Sequence, residues 1–261
     1  MPAHDESFHR TRTRRSDRVR AEHAPRRTSG LLTILGHFAQ PPADHVRAFR
    51  ISKTGSTGIL DRMSEETQHI GILLFDGVEE LDAIGPWEVL SYWTQNHPED
   101  GYAVSTLSRD GGAVRCAKGL VVQAAHSFAD APELDVLLYP GGDGTRRHLH
   151  DERQLDWVRH QRTTVPLMTS VCTGSLVYAA AGLLRDKPAT TYWNALEHLA
   201  QLDPTIDVRK DERFVDAGEV ITASGISAGI DMALHLVARL ANVERARQVR
   251  HGIQYDPEPP V

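Results

Sequence analysis

A chain of 261 residues, 40% hydrophobic and 25% charged with a formal charge of -6, has the composition of a soluble globular protein and the length for one large α/β domain or two small ones. It holds no apolar run of about eighteen residues, which excludes a transmembrane helix, and its N-terminus lacks the apolar core of a secretory signal. Two cysteines, Cys116 and Cys172, exclude a disulfide framework and suit a reducing, cytoplasmic setting.

The charge is unevenly placed. Residues 1–62 carry eleven Arg and one Lys against six acidic residues, whereas the rest carries 17 basic and 29 acidic ones. The stretch HRTRTRRSDRVRAEHAPRR offers almost nothing to bury, so residues 1–66 are read as a basic, disordered N-terminal extension. A nucleic-acid-binding arm and an organellar transit-like segment compete with a tail without function that precedes a start at Met63. The tail is preferred, and nucleic acid is not an expected partner. A short apolar patch, GLLTILGHFA, offers a helical turn or two and does not alter this reading.

From residue 67 to the end the texture is that of a folded domain. HIGILLF (69–75) is a short apolar run closed by Asp76-Gly77, a buried strand with a turn after it. GPWEVLSYW (85–93) has helical spacing, with Pro86 placed in a first turn. YAVSTLS (102–108) is a strand, and 113–128 reads as two strands around Lys118-Gly119. DVLLYPGG (135–142) is a buried strand ending in glycines, followed by a helix at about 151–164. VPLMTSVC (165–172) is a strand and TGSLVYAAAGLL (173–184) a helix. After ATTYW (189–193) come a helix from Asn194, a strand-like segment at 214–224, and helices at about 227–241 and to 254. Strands alternating with helices predict an α/β fold, a mostly parallel sheet covered on both faces.

Ligands of such sheets bind outside the carboxyl ends of the strands, so the strand-end residues are the candidates. Cys172 ends one strand where a helix starts, among the small residues Thr173, Gly174 and Ser175. That sharp turn projects the side chain, and a helix N-terminus favours a thiolate; the alternative is a small buried hydrophobe. Gly141 and Gly142 expose backbone N–H groups that would receive developing negative charge together with the N–H of Thr173, or they merely form a tight turn. Asp82 lies among Leu81, Ala83 and Ile84, where desolvation would raise its pKa. On its own neighbourhood it reads instead as a helix N-cap, and Glu79 and Glu80 as solvated turn acids.

Other motifs carry less. GISAG (225–229) matches a nucleophile elbow, but only helical sequence follows it to supply an acid and a histidine, so Ser227 reads as an N-cap. His148 and His150, two residues apart, read as a solvated surface, and Cys116, mid-hairpin, as structural. With no P-loop, HExxH or CxxC pair, no metal or organic cofactor is expected.

Taken in order, DVLLYPGG, TSVCTGSLVYAAAGLL, ATTYW and GISAGID resemble the ThiJ/PfpI branch of the class I glutamine amidotransferase-like superfamily, from about Ile70 to the end. Within it, the forms LD-x-x-GP, TSVCTGSL and GI-x-AGID are most similar to the isonitrile hydratases. The resemblance implies a flavodoxin-like doubly wound sandwich, a homodimer, and a nucleophilic cysteine on the elbow at Cys172. Branches with peptidase or amidotransferase activity have histidine directly after that cysteine, where this chain has Thr173. Isonitrile hydratases have threonine there and use an aspartate of the first strand-end loop, which matches Asp82. The implied catalytic set is therefore Cys172, Asp82 and Thr173, with Gly141, Gly142, Ile84 and Thr173 binding a small-molecule substrate. Tyr192 stands where related sequences often have histidine, a change that would alter pocket polarity or substrate choice. A ligand-sensing domain like those of some transcription regulators, and glyoxalase- or deglycase-like chemistry, are the alternative activities.

Overall fold

A computed structural model describes residues 67–258. The expectations for residues 1–66, including the disordered extension and the apolar patch, lie outside the described residues.

Strand β1 (Gln68–Leu73) is apolar at successive positions because both of its faces are covered, and Ile70, Ile72 and Leu73 are buried. Helix α1 (Glu80–Asn96) buries Asp82, Ala83, Pro86, Val89, Leu90 and Trp93, a stripe with helical spacing. The helix begins five residues ahead of the expected 85, which places Pro86 inside it rather than in its first turn. Proline there removes the bond that its N–H would give to the carbonyl of Asp82. Burial of the stripe against the sheet outweighs that loss.

Strand β2 (Tyr102–Ser108) pairs in parallel with β1. Segment 113–128 holds three strands instead of two: an antiparallel hairpin, β3 (Ala113–Arg115) with β4 (Val121–Gln123), and β5 (His126–Ser127), which joins the edge of the main sheet beside β2. Then follow β6 (Val136–Tyr139), α2 (Thr145–His148), α3 (Glu152–Thr164), β7 (Leu167–Val171) and α4 (Gly174–Ala180). Next are β8 (Pro188–Ala189), α5 (Leu196–Leu202) and β9 (Asp207–Val208). The strand-like 214–224 divides into an antiparallel pair, β10 (Phe214–Asp216) and β11 (Val220–Ala223), because Gly218 turns the chain with φ +87°. Helices α6 (Ala228–Leu240) and α7 (Val243–Gly252) complete the described chain.

The main sheet has the order β10-β11-β7-β6-β1-β2-β5, parallel except for the edge strand β10. Helices α1, α6 and α7 form one layer and α2 to α5 the other. From β1 the chain runs out to β2 and β5, then returns to the opposite side of β1 as β6. This reversal between β1 and β6 is the switch point at which a doubly wound sheet opens a crevice. Among the described residues no helix is long and apolar enough to cross a membrane.

Candidate active site

Three strand ends meet at the crevice. Cys172 follows β7 with φ +57°, the left-handed region that a residue with a Cβ adopts only when its surroundings enforce it. Here they do: its N–H donates to the carbonyls of Ala223 (3.1 Å) and Ser224 (2.7 Å). Its own carbonyl accepts the hydroxyls of Thr191 (2.9 Å) and Ser175 (3.0 Å). Gly174 lets the elbow pass the end of β6, since a Cβ there would lie 2.2 Å from the carbonyl oxygen of Tyr139. The expected strand-to-helix elbow is therefore present, and its glycine has a steric reason.

Asp82 is fully buried. It is not the N-cap of α1, a position held by Glu79; it sits in the first turn with its side chain turned to the end of β6. The Gly141 N–H donates to its Oδ2 at 2.9 Å, and the Cys172 thiol and the Ile226 N–H also face the carboxyl. Burial raises the carboxyl to about 7, and the charge of Glu79 adds to this, against the lowering effect of the Gly141 N–H. Gly141 is the residue that permits this approach. A Cβ there would stand 2.6 Å from the N and 2.7 Å from the Oγ1 of Thr173, and 2.8 Å from the Oδ2 of Asp82.

The buried Cys172 thiol lies against this carboxyl. Burial and then the charge of Asp82 push its pKa well up, with the Thr173 N–H opposing them. The expected low-pKa thiolate is thus corrected: α4 is only two turns long, and desolvation beside a carboxylate outweighs its terminus. Two negative charges are disfavoured together, so the resting pair is a thiol next to a carboxylate that binds a further proton near neutrality.

The expected oxyanion set also changes. The N–H of Gly141 is taken by Asp82, and that of Gly142 donates to the Thr173 Oγ1 at 3.1 Å. Of the expected donors, the Thr173 N–H remains directed at the sulfur. Ile84 is half-buried and is not part of the cavity wall.

A cavity of about 510 Å³ opens over the thiol, with Gly142, Thr173, Leu176, Tyr192 and Ile226 in its wall. Several wall residues went unread in the sequence. Thr145 belongs to the GGDGT strand end, a segment that the strand-end rule does single out, and its hydroxyl lies 3.0 Å from that of Thr173. Asn194 and His198 come from the segment leading into α5 and from α5 itself, and no local pattern marks them. Glu79 also lines the cavity and pairs with Lys118, while the Lys118 N–H donates to the Oε1 of Glu80 at 2.7 Å. Neither is the solvated turn acid expected.

His148 is likewise not a solvated surface group. Its ring packs on Phe75 (centroids 4.6 Å apart) and its Nδ1 is 2.7 Å from the buried Tyr139 hydroxyl. Burial, with the charges of Arg109 and Arg147, lowers it to about 4. His150 is exposed. Ser227 occupies the N-cap position of α6 without a side-chain capping bond, and Cys116 is buried in the β3–β4 hairpin. No group of three or more His, Cys, Asp or Glu side chains among the described residues is placed to hold a metal ion.

Residues 68–239 match the DJ-1/PfpI family. The chain is 41% identical over 191 residues to the isonitrile hydratase of Pseudomonas putida, covering 73% of this chain and 80% of that protein. It is 30% identical over 172 residues to the HTH-type transcriptional regulator GbdR of Pseudomonas aeruginosa, covering 66% of this chain and 46% of the regulator. Among solved structures, a ThiJ/PfpI family protein from Pseudomonas syringae has a TM-score of 0.67 at 28% identity, covering 80% of this chain and 84% of that one. Drosophila melanogaster DJ-1beta has a TM-score of 0.63 at 24% identity, covering 73% and 99%, a likeness of fold.

Proposed function

Because this chain belongs to the DJ-1/PfpI family, we propose that it is a lyase that hydrates an isonitrile to an N-substituted formamide through Cys172, with Asp82 as its acid and base. The observation that carries this reading is the fully buried Asp82 carboxyl, held by the Gly141 N–H and set against the Cys172 thiol. The similarity to an isonitrile hydratase and threonine, not histidine, after the cysteine support it.

An isonitrile carbon must gain both a proton and a nucleophile. In the resting pair the thiol proton passes to Asp82 as the sulfur adds to the carbon, and Asp82 delivers that proton to the same carbon. The product is a thioimidate, R–N=CH–S–Cys172, with no net proton consumed. Water then adds across the C=N bond, its proton leaving through Asp82 to the nitrogen. Breaking the C–S bond with return of a proton to sulfur releases R–NH–CHO. Thr173 orients the water and holds the sulfur through its N–H. The homodimer and the cytoplasmic setting expected from the sequence belong to the same proposal.

The test is turnover of cyclic and benzylic isonitriles by the purified chain, with intact-mass detection of the Cys172 adduct. Cys172→Ala should abolish hydration, and Asp82→Asn should lower kcat by about 10²–10⁴-fold. A Cys172→Ala protein that still hydrates an isonitrile overturns the proposal. The similarity to a regulator favours a second reading, a ligand-sensing domain; saturable binding of a small molecule without turnover would select it.

A further inference from the structure

Thr145 puts a buried hydroxyl into the cavity wall that the chemistry above leaves unused. Its Oγ1 lies 2.7 Å from the Gly142 carbonyl and 3.0 Å from the Thr173 Oγ1. The Thr173 Oγ1 also accepts the Gly142 N–H at 3.1 Å and lies 3.4 Å from the Gly142 carbonyl, which accepts the Thr145 N–H at 3.1 Å. Each hydroxyl has one hydrogen and two lone pairs, so two arrangements differ in which hydroxyl donates to the other.

In the first, Thr145 donates to the Gly142 carbonyl and its oxygen accepts the Thr173 O–H. Thr173 then has a lone pair left toward the cavity. In the second, Thr145 donates to Thr173, whose lone pairs are now filled by Thr145 and the Gly142 N–H. The Thr173 O–H is then left for the cavity, the sulfur and the more distant Gly142 carbonyl. The Gly142 carbonyl keeps the Thr145 N–H throughout, so neither arrangement strands a buried polar atom. The two differ only by rotation of two O–H bonds.

We propose that Thr145 is a positioning residue whose hydroxyl decides whether Thr173 acts as donor or acceptor toward the reacting atoms. The two halves of hydration use both roles. A donor steadies the sulfur as it adds to the carbon, and an acceptor holds the water that later releases the formamide. This assignment of roles rests on the isonitrile reading, whereas the hydroxyl pair stands on the contacts alone.

Thr145→Val keeps the shape and removes the hydroxyl, and Thr145→Ser returns it. With an isonitrile as substrate, the valine variant should lose about tenfold or more in kcat with KM within about twofold, and serine should restore most of that loss. Wild-type kcat in the valine variant, or an equal loss in the serine variant at an unchanged melting temperature, overturns the proposal. A second measurement is independent of turnover: the rate of Cys172 alkylation by iodoacetamide against pH, located by peptide mass, in wild type, Thr145→Val, Thr173→Val and the double variant. The Thr145→Val effect should vanish when Thr173 is already valine, and additive effects overturn the inference. A wild-type chain inert toward isonitriles would refute the function proposed above, and the alkylation cycle would still decide the role of Thr145.

Discussion

Asp82 shows what one residue can and cannot disclose. Its apolar neighbours in ELDAIGPW announce desolvation, but a carboxylate at the start of a helix is more often a cap, which is what its local sequence predicts. What decides otherwise is the Gly141 N–H, brought from 59 residues away, which turns the side chain to the crevice. The consequence is measurable. Asp82 ionises near 4 in an unfolded chain and at about 7 in the fold, so the native state holds the proton more tightly. The stability tied to the protonated carboxyl is fully present below about pH 4 and is lost as pH rises through about 7, a change of about 4 kcal/mol. Urea midpoints followed across this window should fall for the wild type and stay flatter for Asp82→Asn; a wild-type midpoint that does not move contradicts the assignment. Over the same range kcat/KM for an isonitrile should rise through about pH 7, because the carboxylate form is the one that accepts the thiol proton.

Elements were legible where periodicity and burial agree. Strand β2 falls on its expected residues 102–108, and α3, expected at 151–164, spans Glu152–Thr164. Asp151 caps α3 by accepting the N–H groups of Arg153 (3.1 Å) and Gln154 (3.4 Å). Asp151→Ala should therefore cost about 1 kcal/mol in urea unfolding and leave turnover unaltered, since the cap lies outside the cavity wall. The misread elements share a cause. Strand β5 is two residues long and exists through its pairing with β2. Helix α1 runs through Pro86 because its buried stripe continues on both sides. Neither a two-residue pairing nor the tolerance of one lost helix bond is written locally.

For the whole molecule, the family match begins at residue 68 and β1 at Gln68, and we propose 67–261 as the functional domain. A chain begun at Met63 should then keep its far-UV circular dichroism and at least about half the isonitrile turnover of the full chain; loss of either would place necessary contacts within residues 1–62. The alternation of apolar runs with amphipathic stretches determined the α/β class, because a parallel sheet buried on both faces needs both. The same pattern located the strand ends, and with them Cys172, Gly141 and Gly142. Tertiary structure decided what surrounds those residues. The elbow holds Cys172 as a desolvated thiol, not a thiolate, and the N–H groups of Gly141 and Gly142 are spent on Asp82 and Thr173. Hydrogen-bond partners and desolvation depend on groups from separate strand ends, and distances between those groups exist only once the sheet has formed.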